Sequence, residues 1–488
     1  MSHTNDVKVI FYELNEAPWQ VIDYFIKESP NSTFAKILQN AHQYTTETKD
    51  SGELHPWSTW PTIHRGVYND THQIRFLNQK TTNTYPPIWK LLTQNGKSVG
   101  LFGSLQSWPI PSDKKNYRFY IPDTFAQTPE TYPAHLEPFQ KFNLNQTKKD
   151  GGKTPGKIKF SWGLAKDVLK FFDLGFRPKT ALTLTGQLIK EKLNPLYRNI
   201  RAIFQAPVAF DFYFYLLEET HPDFSCYFTN HLASVMHRYW KYTFPEEFQY
   251  TLEGDDDHFK AQNILRAMKI TDEQLKALKS FCDAHGYTLM IGSSMGQEAV
   301  DRGDYQGELR ITDIDQFYKG LGYEGKVKNN LAMQPDFAFS FKDAADCSHF
   351  KNLVMALTSP DGQPVFTIKE SGTTLNCNLK VSAETLEKKF LYKGSLPLGL
   401  EHFGISVIER DPGTGYHQPK GVWIIYKKGL KPVPYREKVE SIQIAPTLLD
   451  LFGIKKPAYM KKPISMKDSI LQASPRQEEL GLDFEHEA

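Results

Sequence analysis

The stretch VKVIFYEL, residues 7–14, decides the fold class of this chain. It is a short apolar run rich in β-branched and aromatic residues, which is typical of a strand buried on both faces of a sheet. Similar runs recur at 98–104, 287–294 and 421–429, and amphipathic segments such as IWKLLTQNG (88–96) lie between them. This alternation predicts an α/β fold, a three-layer sandwich whose largely parallel central sheet is flanked by helices.

Two regions interrupt the alternation. Residues 124–215 join a polar stretch to aromatic-rich helical patterns, which predicts a helical cap inserted into the core. Residues 325–400 contain short strand and helix patterns in turn, which predicts a small α+β insertion. The core then consists of residues 1–123, 216–324 and 401–470, and the charged tail 471–488 is expected to lie on the surface or to be disordered.

The composition excludes several classes of protein. With 58 Lys and Arg against 56 Asp and Glu, the net charge of +2 argues against a partner that is a nucleic acid polymer. The four cysteines are far apart, which excludes a disulfide scaffold and a thiolate zinc site. Because no apolar run approaches the roughly 20 residues of a membrane span and the N-terminus is polar, we expect a cytoplasmic protein without a membrane span. The oligomeric state is open.

Polar side chains cluster where the predicted strands end, which is where open α/β sheets hold ligands. Three of them follow the first strand: Glu13, Asn15 and Glu16. The segment HPWSTWPTIHR (55–65) places Ser58 and Thr59 in a proline-bounded turn that enters a helix. A hydroxyl there is well placed to attack an anionic ester, since the free N–H groups of a helix start favour negative charge. Capping of the helix is the more common local role of such a residue.

Three histidines stand beside predicted strands. His231 lies at a strand-to-helix junction with Asn230, and His237 follows six residues later, about 240° away around a helix. These two imidazoles converge only if His231 precedes the helix. His417 lies in a glycine-bounded loop before a strand. Each histidine alone is more often a packed or surface residue, but three imidazoles and an open position suit zinc.

In this order the segments resemble the alkaline phosphatase superfamily, in particular its type I phosphodiesterase/nucleotide pyrophosphatase branch, over most of the chain outside the two insertions. Glu13 stands where the family has an acidic metal ligand, and Thr59 in STWPTIHRG matches its hydroxyl nucleophile. His237 matches the histidine of a D-x-x-x-H pair, and His417 in GYHQPKG matches that of a G-x-H-x-P-x-G loop. IAPTLLDLFGI (444–454) resembles a late helix of these proteins.

The chain departs from the family pattern at both metal sites. The acid of the D-x-x-x-H pair falls at Ala233, and the S-D-H-G-M motif reads SSMGQ, so Ser294 and Met295 replace two ligands. His231 or Asn230 would have to replace the missing acid. The resemblance then implies one metal ion, most suitably zinc, held by His231, His237 and His417.

The resemblance implies a metal-dependent hydrolase or transferase of phosphoester or phosphodiester bonds, with Thr59 as nucleophile and Glu13 as general base. Six further residues are expected to contact the substrate: Asn15, Trp60, Arg65, Asn230, Ser294 and Gln297. The expected partner is a small-molecule or glycan-linked phosphoester. Two alternatives are a non-catalytic binding protein that has lost the metals and a sulfoester hydrolase. The segment STWPTIHR lacks the C/S-x-P-x-R spacing of the latter.

Overall fold

The computed structural model describes residues 7–77, 79, 84–150, 171–301, 308–330, 336–380, 382–408 and 413–473. Within these residues the strands are β1 (Val9–Leu14), β2 (Ala41–Glu47), β3 (Val99–Phe102), β4 (Tyr117–Ile121), β5 (Phe224–Thr229), β6 (Thr288–Gly292), β7 (Gly296–Ala299), β8 (Glu308–Ile311), β9 (Lys328–Asn330), β10 (Asp336–Ser340), β11 (Leu357–Thr358), β12 (Phe366–Ser371), β13 (Thr374–Leu379), β14 (Phe390–Lys393), β15 (Leu396–Gly399), β16 (Ile405–Ile408), β17 (Gly415–Gln418), β18 (Lys420–Tyr426) and β19 (Val433–Glu440). The predicted tail lies outside the described residues from 474 onward.

The α-helices in the described part of the chain are α1 (Trp19–Glu28), α2 (Thr33–Leu38), α3 (Pro56–Arg65), α4 (Asn69–His72), α5 (Ile88–Gln94), α6 (Glu137–Asp150), α7 (Pro178–Leu193), α8 (Gln205–Thr220), α9 (His231–Thr243), α10 (Gly254–Ala261), α11 (Asn263–His285), α12 (Ile314–Leu321), α13 (Ala344–Met355), α14 (Ala383–Lys388), α15 (Ile444–Leu451) and α16 (Lys467–Gln472). Short 3₁₀ segments cover Ala134–Leu136, Pro195–Phe204, Pro245–Phe248, Leu400–Phe403 and Ser441–Gln443. The predicted α/β class is confirmed.

The central sheet has eight strands in the order β19-β2-β18-β6-β1-β5-β3-β4. All of them run in one direction except β18, which is antiparallel to both of its neighbours, β2 and β6. The parallel strands end at one edge of the sheet, where ligands bind in such folds. Because β18 runs the other way, it begins at that same edge, with Lys420 opposite Glu47.

The sheet separates two apolar layers, and β1 contributes to both. All six of its residues are buried, and successive side chains point to opposite faces. Ile10, Tyr12 and Leu14 join a layer with residues of α8, α9 and α11. Val9 and Phe11 join the other layer, with residues of α3, α5 and α15. The result is the predicted three-layer sandwich.

The predicted cap, residues 124–215, adds no strand to the central sheet within its described parts. Its aromatic side chains nevertheless belong to the apolar layer that covers β1. The ring of Phe212 lies 4.4 Å from that of Phe139, and Tyr213 stacks on Tyr227 of β5 at 4.6 Å. Therefore α8 is a helix of the core that lies on the sheet, which differs from the expected separate cap.

One stretch of the described chain, Pro195–Thr220, has the length and hydropathy of a membrane span, with a mean hydropathy of 1.2. Just over half of its most apolar window, 56%, is buried within the fold. Phe212, Tyr213 and Leu217 are fully buried in the layer on the sheet. A core helix passes the same test of length and composition, so this stretch is weak evidence for a membrane span.

A small lobe lies between β7 and β17 and is larger than the predicted insertion at 325–400. Its apolar cluster extends from Leu309 to Ile405, and β8 pairs with β16 at its base. Its four-stranded sheet has the order β12-β13-β10-β9, with β12 at one edge. The lobe therefore spans about residues 308–408, because β8 and β16 need each other as hydrogen-bond partners.

Candidate active site

Four connections meet at the carboxyl edge of the central sheet. Glu16 follows β1, Asn230 follows β5, Ser294 follows β6 and His417 lies on β17 just before β18. Strand β17 pairs with β7, which brings His417 opposite Gln297. This convergence of distant segments follows from the parallel sheet and its single reversed strand.

Glu16, His237 and His417 form the group that could hold a metal ion. One ligand atom from each lies within 4.8 Å of the others. His237 Nε2 is 3.0 Å from Glu16 Oε2, and His417 Nε2 is 3.4 Å from Glu16 Oε1. The Glu16 side chain is 3% exposed and that of His237 is 29% exposed. The group is thus a buried carboxylate that two imidazoles approach, open to solvent on the side of His237.

The electrostatics of the group centre on Glu16. Burial opposes ionisation of this carboxyl, but His417 and His237 outweigh it and hold the pKa of Glu16 well below its usual range. Burial likewise opposes protonation of His417, but Glu16 outweighs it and raises the pKa of that imidazole. Glu16 also has a backbone φ of 60°, a left-handed conformation that costs a residue with a Cβ about 1–2 kcal/mol. The fold holds a strained backbone to aim this carboxylate.

The donor set fits a divalent transition metal. His237 Nδ1 lies 2.8 Å from the carbonyl of Gly415, so Nδ1 carries a proton and Nε2 is the nitrogen that faces Glu16 and could bind a metal ion. Two imidazole nitrogens lie this close to a carboxylate only with a proton or a cation between them. Two imidazoles and one carboxylate are a ligand set that zinc accepts, with a position left open.

Neighbouring side chains fix the Glu16 carboxylate. Asn15 Nδ2 donates to Glu16 Oε1 at 2.9 Å, and Trp60 Nε1 donates to Asn15 Oδ1 at 2.8 Å. Gln297 Nε2 donates to Glu16 Oε2 at 2.5 Å, while its Oε1 is buried and has no hydrogen-bond partner among the described residues. Three residues predicted to contact substrate, Asn15, Trp60 and Gln297, therefore support the carboxylate. Trp60 is fully buried, so it offers no stacking surface to a substrate.

Thr59 lies in the first turn of α3. Its Oγ1 is 3.2 Å from the carbonyl of His55 and 2.8 Å from Ser294 Oγ. The residue is completely buried and Ser294 is 1% exposed. Its neighbour Ser58 instead donates to the carbonyl of Ile74 at 2.8 Å. The structure thus joins the two predicted hydroxyls, Thr59 and Ser294, beneath the edge of the sheet.

Glu13 faces a different layer from the metal group, which corrects its predicted role. On β1 it alternates with Tyr12 and Leu14, so it points to the layer of α3. Glu13 Oε1 lies 2.7 Å from His64 Nε2, and both side chains are almost fully buried. The hydrogen bonds of Thr59 run to other groups. Glu13 is therefore placed as the partner of His64 rather than as a base for Thr59.

His231 also differs from its prediction. It begins α9, but its ring points into the core between α9 and α11. Nδ1 is 2.7 Å from Thr229 Oγ1, and Nε2 is 3.1 Å from Thr271 Oγ1 and 3.2 Å from the carbonyl of Ala267. Burial lowers the pKa of His231 to about 4, so the ring is neutral. Both nitrogens have protein partners, and the third ligand position beside His237 and His417 is occupied by Glu16.

The remaining predicted contacts divide between surface and interior. Asn230 is exposed and accepts from Asn15 Nδ2 at 2.6 Å, so it lies at the rim of the site. Arg65 is 5% exposed and its guanidinium donates to the carbonyl of Tyr85. Burial lowers the pKa of Arg65 to about 10. This arginine is consequently enclosed in the helical layer and does not face the metal group.

A second cluster at the rim escaped the sequence analysis: Glu53, His55, Lys369 and Tyr416. The ring of His55 lies 6.1 Å from that of His417, and the ring of Tyr416 stacks on His417 at 4.6 Å. Lys369 comes from β12 of the small lobe and approaches His55 Nε2 to 3.3 Å. The glycine-bounded loop of His417 offered a signal for Tyr416, but no spacing in the sequence connects Lys369 to this edge.

The fold and the site together define a three-layer α/β protein with a carboxylate and two imidazoles at the carboxyl edge of its sheet. No family model matches the sequence, and no curated protein does. Among solved structures the chain is similar to murine ectonucleotide pyrophosphatase/phosphodiesterase 5, with 9% identity over 93% of this chain and 97% of that one at a TM-score of 0.42.

Two further solved structures give the same level of similarity. The human ectonucleotide pyrophosphatase/phosphodiesterase 5 has 10% identity, coverage of 94% and 99%, and a TM-score of 0.41. Phosphonoacetate hydrolase from Sinorhizobium meliloti 1021 has 13% identity, coverage of 90% and 94%, and a TM-score of 0.39. At this level of identity the matches assign no residue roles to this chain.

Proposed function

We propose that this protein is a metal-dependent hydrolase or transferase of phosphoester or phosphodiester bonds with a single metal ion. The observation that carries the proposal is the convergence of Glu16, His237 and His417 within 4.8 Å at the carboxyl edge of the sheet. Zinc is the proposed ion, since two imidazoles and one carboxylate suit it better than magnesium. When bound, a divalent ion supplies positive charge that polarises a phosphoryl oxygen.

Thr59 is the proposed nucleophile. Its hydroxyl lies in the first turn of α3, and the carbonyl of His55 and the hydroxyl of Ser294 fix its direction. Because Thr59 is completely buried, attack on a phosphoryl group requires that this hydroxyl becomes accessible when the substrate binds. Asn230 is exposed and the side chain of His237 is 29% exposed, so both are accessible to an arriving substrate.

The metal site is tested by elemental analysis of the purified protein and by zinc titration. Glu16→Gln keeps the hydrogen-bonding shape but removes the only carboxylate of the group, so bound zinc is expected to fall from about one equivalent to a small fraction. Glu298→Gln is the matched control, since Glu298 is an exposed carboxylate on β7, next to Gln297. Unchanged zinc content in Glu16→Gln would exclude this site.

The chemistry is tested with 4-nitrophenyl ethyl phosphate as substrate. Thr59→Ala is expected to reduce turnover by orders of magnitude while zinc content is kept, because the covalent step is lost. Ser58→Ala removes a neighbouring hydroxyl that bonds to Ile74 and should retain turnover. Near-native turnover in Thr59→Ala would eliminate this residue as the nucleophile.

A second candidate, a binding protein without turnover, is favoured by the complete burial of Thr59 and its hydrogen bond to Ser294. Such a protein would bind zinc and phosphate esters at the same edge without cleaving them. Zinc-dependent binding of the ester, with no release of nitrophenol over hours, would support this candidate over the hydrolase.

A further inference from the structure

One cation of the small lobe, Lys369, lies at the edge of the candidate active site. Lys369 lies on β12, the edge strand of the lobe, and its Nζ is 3.3 Å from His55 Nε2 and 3.5 Å from Glu53 Oε2. His55 precedes α3, and its ring centroid is 6.1 Å from that of His417. The ammonium group therefore stands two side-chain contacts from the metal group, although it comes from the inserted lobe.

The partners of Lys369 leave the net charge at this rim near zero. Glu53 is shared, because Tyr416 donates its hydroxyl to Oε1 while Lys369 approaches Oε2. An ammonium group can only donate, so His55 Nε2 accepts the hydrogen bond from Lys369 and carries no proton at that nitrogen. The charge of Lys369 is thus balanced by one carboxylate, which also holds Tyr416 against His417.

The ion pair is placed so that a ligand can replace Glu53. The side chains of Lys369 and Glu53 are 36% and 35% exposed. Ion pairs this exposed contribute little to stability, because water and salt screen them. An anion that enters from solvent can therefore take the place of Glu53 on the ammonium group. Arg65 offers no such contact, since it is buried and bonded to a backbone carbonyl.

Resting on the proposed function, we infer that Lys369 selects substrates that carry a second anionic group, a carboxylate or a further phosphate, beyond the phosphoryl group that reacts. The metal group receives the phosphoryl group, and Lys369 receives the second charge in place of Glu53. A ligand with a single anionic group has no second charge to pair with Lys369, so its binding affinity is independent of this residue.

The test uses calorimetric binding of two phosphonates to the zinc-loaded full-length protein. Ethylphosphonate carries only the phosphonate group, and 2-carboxyethylphosphonate adds one carboxylate. Lys369→Met is expected to weaken binding of 2-carboxyethylphosphonate about tenfold to a hundredfold, the range of a charge-assisted hydrogen bond, and to leave ethylphosphonate binding and zinc content unchanged. Lys369→Arg keeps the charge and should restore most of the affinity.

Lys351→Met is the matched control. Lys351 lies on the same lobe and pairs with Glu370, the neighbour of Lys369 on β12, at 2.7 Å. Its removal should change the binding of neither phosphonate. Equal affinities of the wild-type protein for the two phosphonates, or an equal loss of both in Lys369→Met, would overturn the inference. If the two phosphonates differ in binding as expected but the protein cleaves no ester, the role of Lys369 stands and the proposed hydrolase is refuted.

Discussion

Replacing His231 with alanine tests whether this histidine stabilises the fold or binds the metal ion. The ring has three polar contacts at 2.7–3.2 Å, to Thr229, Thr271 and the carbonyl of Ala267. At roughly 1 kcal/mol for the hydrogen bond of each ring nitrogen, plus a cavity in the core, the free energy of unfolding should fall by about 3 kcal/mol at pH 7. Zinc content should not change, because Glu16, His237 and His417 are untouched.

The loss should also depend on pH in a defined direction. The pKa of His231 is about 4 in the folded protein against 6.5 for the ordinary side chain, so the unfolded chain takes up the proton first. The stabilisation by the neutral ring is complete above pH 6.5 and is lost as pH falls through 4. Between pH 7 and pH 5 this amounts to about 2 kcal/mol, which the alanine variant cannot lose. The difference between the two proteins should shrink accordingly.

Urea unfolding at pH 7 and pH 5, with elemental analysis of the same samples, measures both effects. His55 and His72 also have pKa values lowered to about 3 by burial, but they are present in both proteins and cancel in the difference. His258→Ala, at an exposed position on α10, is the control and should shift neither quantity. A variant that loses zinc at unchanged stability, or a stability difference that is the same at both pH values, would refute this account.

Three further substitutions test the support of the site. Trp60→Phe removes the hydrogen-bond donor to Asn15, which in turn donates to Glu16. Zinc titration should therefore show about 10- to 100-fold weaker binding. An unchanged affinity would show that Asn15 does not support zinc binding. Gly415→Ala places a Cβ 2.5 Å from the carbonyl of Met236, so β17 must shift and zinc occupancy should fall, whereas Gly186→Ala meets open space in α7 and should keep full zinc occupancy. Glu13→Ala leaves His64 buried without its partner, so the free energy of unfolding in urea should fall by about 3 kcal/mol or more while zinc is retained. Loss of zinc in this variant would indicate that Glu13 is a metal ligand after all.

The sequence was sufficient to predict the layers of the fold. The buried strand β1 is recognisable because all of its residues except Glu13 are apolar. The end of α11 is recognisable from Gly286, which has a φ of 70° before β6 begins. The segments that carry His237 and His417 were also recognisable, because each adjoins a strand of the sheet. These features depend on local pattern, which a single sequence contains.

The details of the site depend on contacts that no local pattern contains. Glu13 and Glu16 are the same residue type, and the turn with a positive φ at Glu16 decides which of them reaches the imidazoles. The ring of His231 finds its partners on α11, 36 and 40 residues further along the chain. Lys369 reaches the site from a lobe that is inserted between β7 and β17. Tertiary packing, rather than residue type, determines where each of these side chains lies.

The reversed strand β18 has a consequence for how the protein is made. It lies between β2 and β6, so the two halves of the central sheet are joined by a strand that is synthesised after residue 419. The three proposed ligands stand at positions 16, 237 and 417, separated by most of the chain. Such distant pairings form slowly, because long loops must close before any contact compensates for the lost entropy. A nascent chain that ends before β17 lacks His417 and β18, so it has only two of the three ligands and a gap in its sheet. Binding of the ion therefore reports that the chain has folded at least as far as His417.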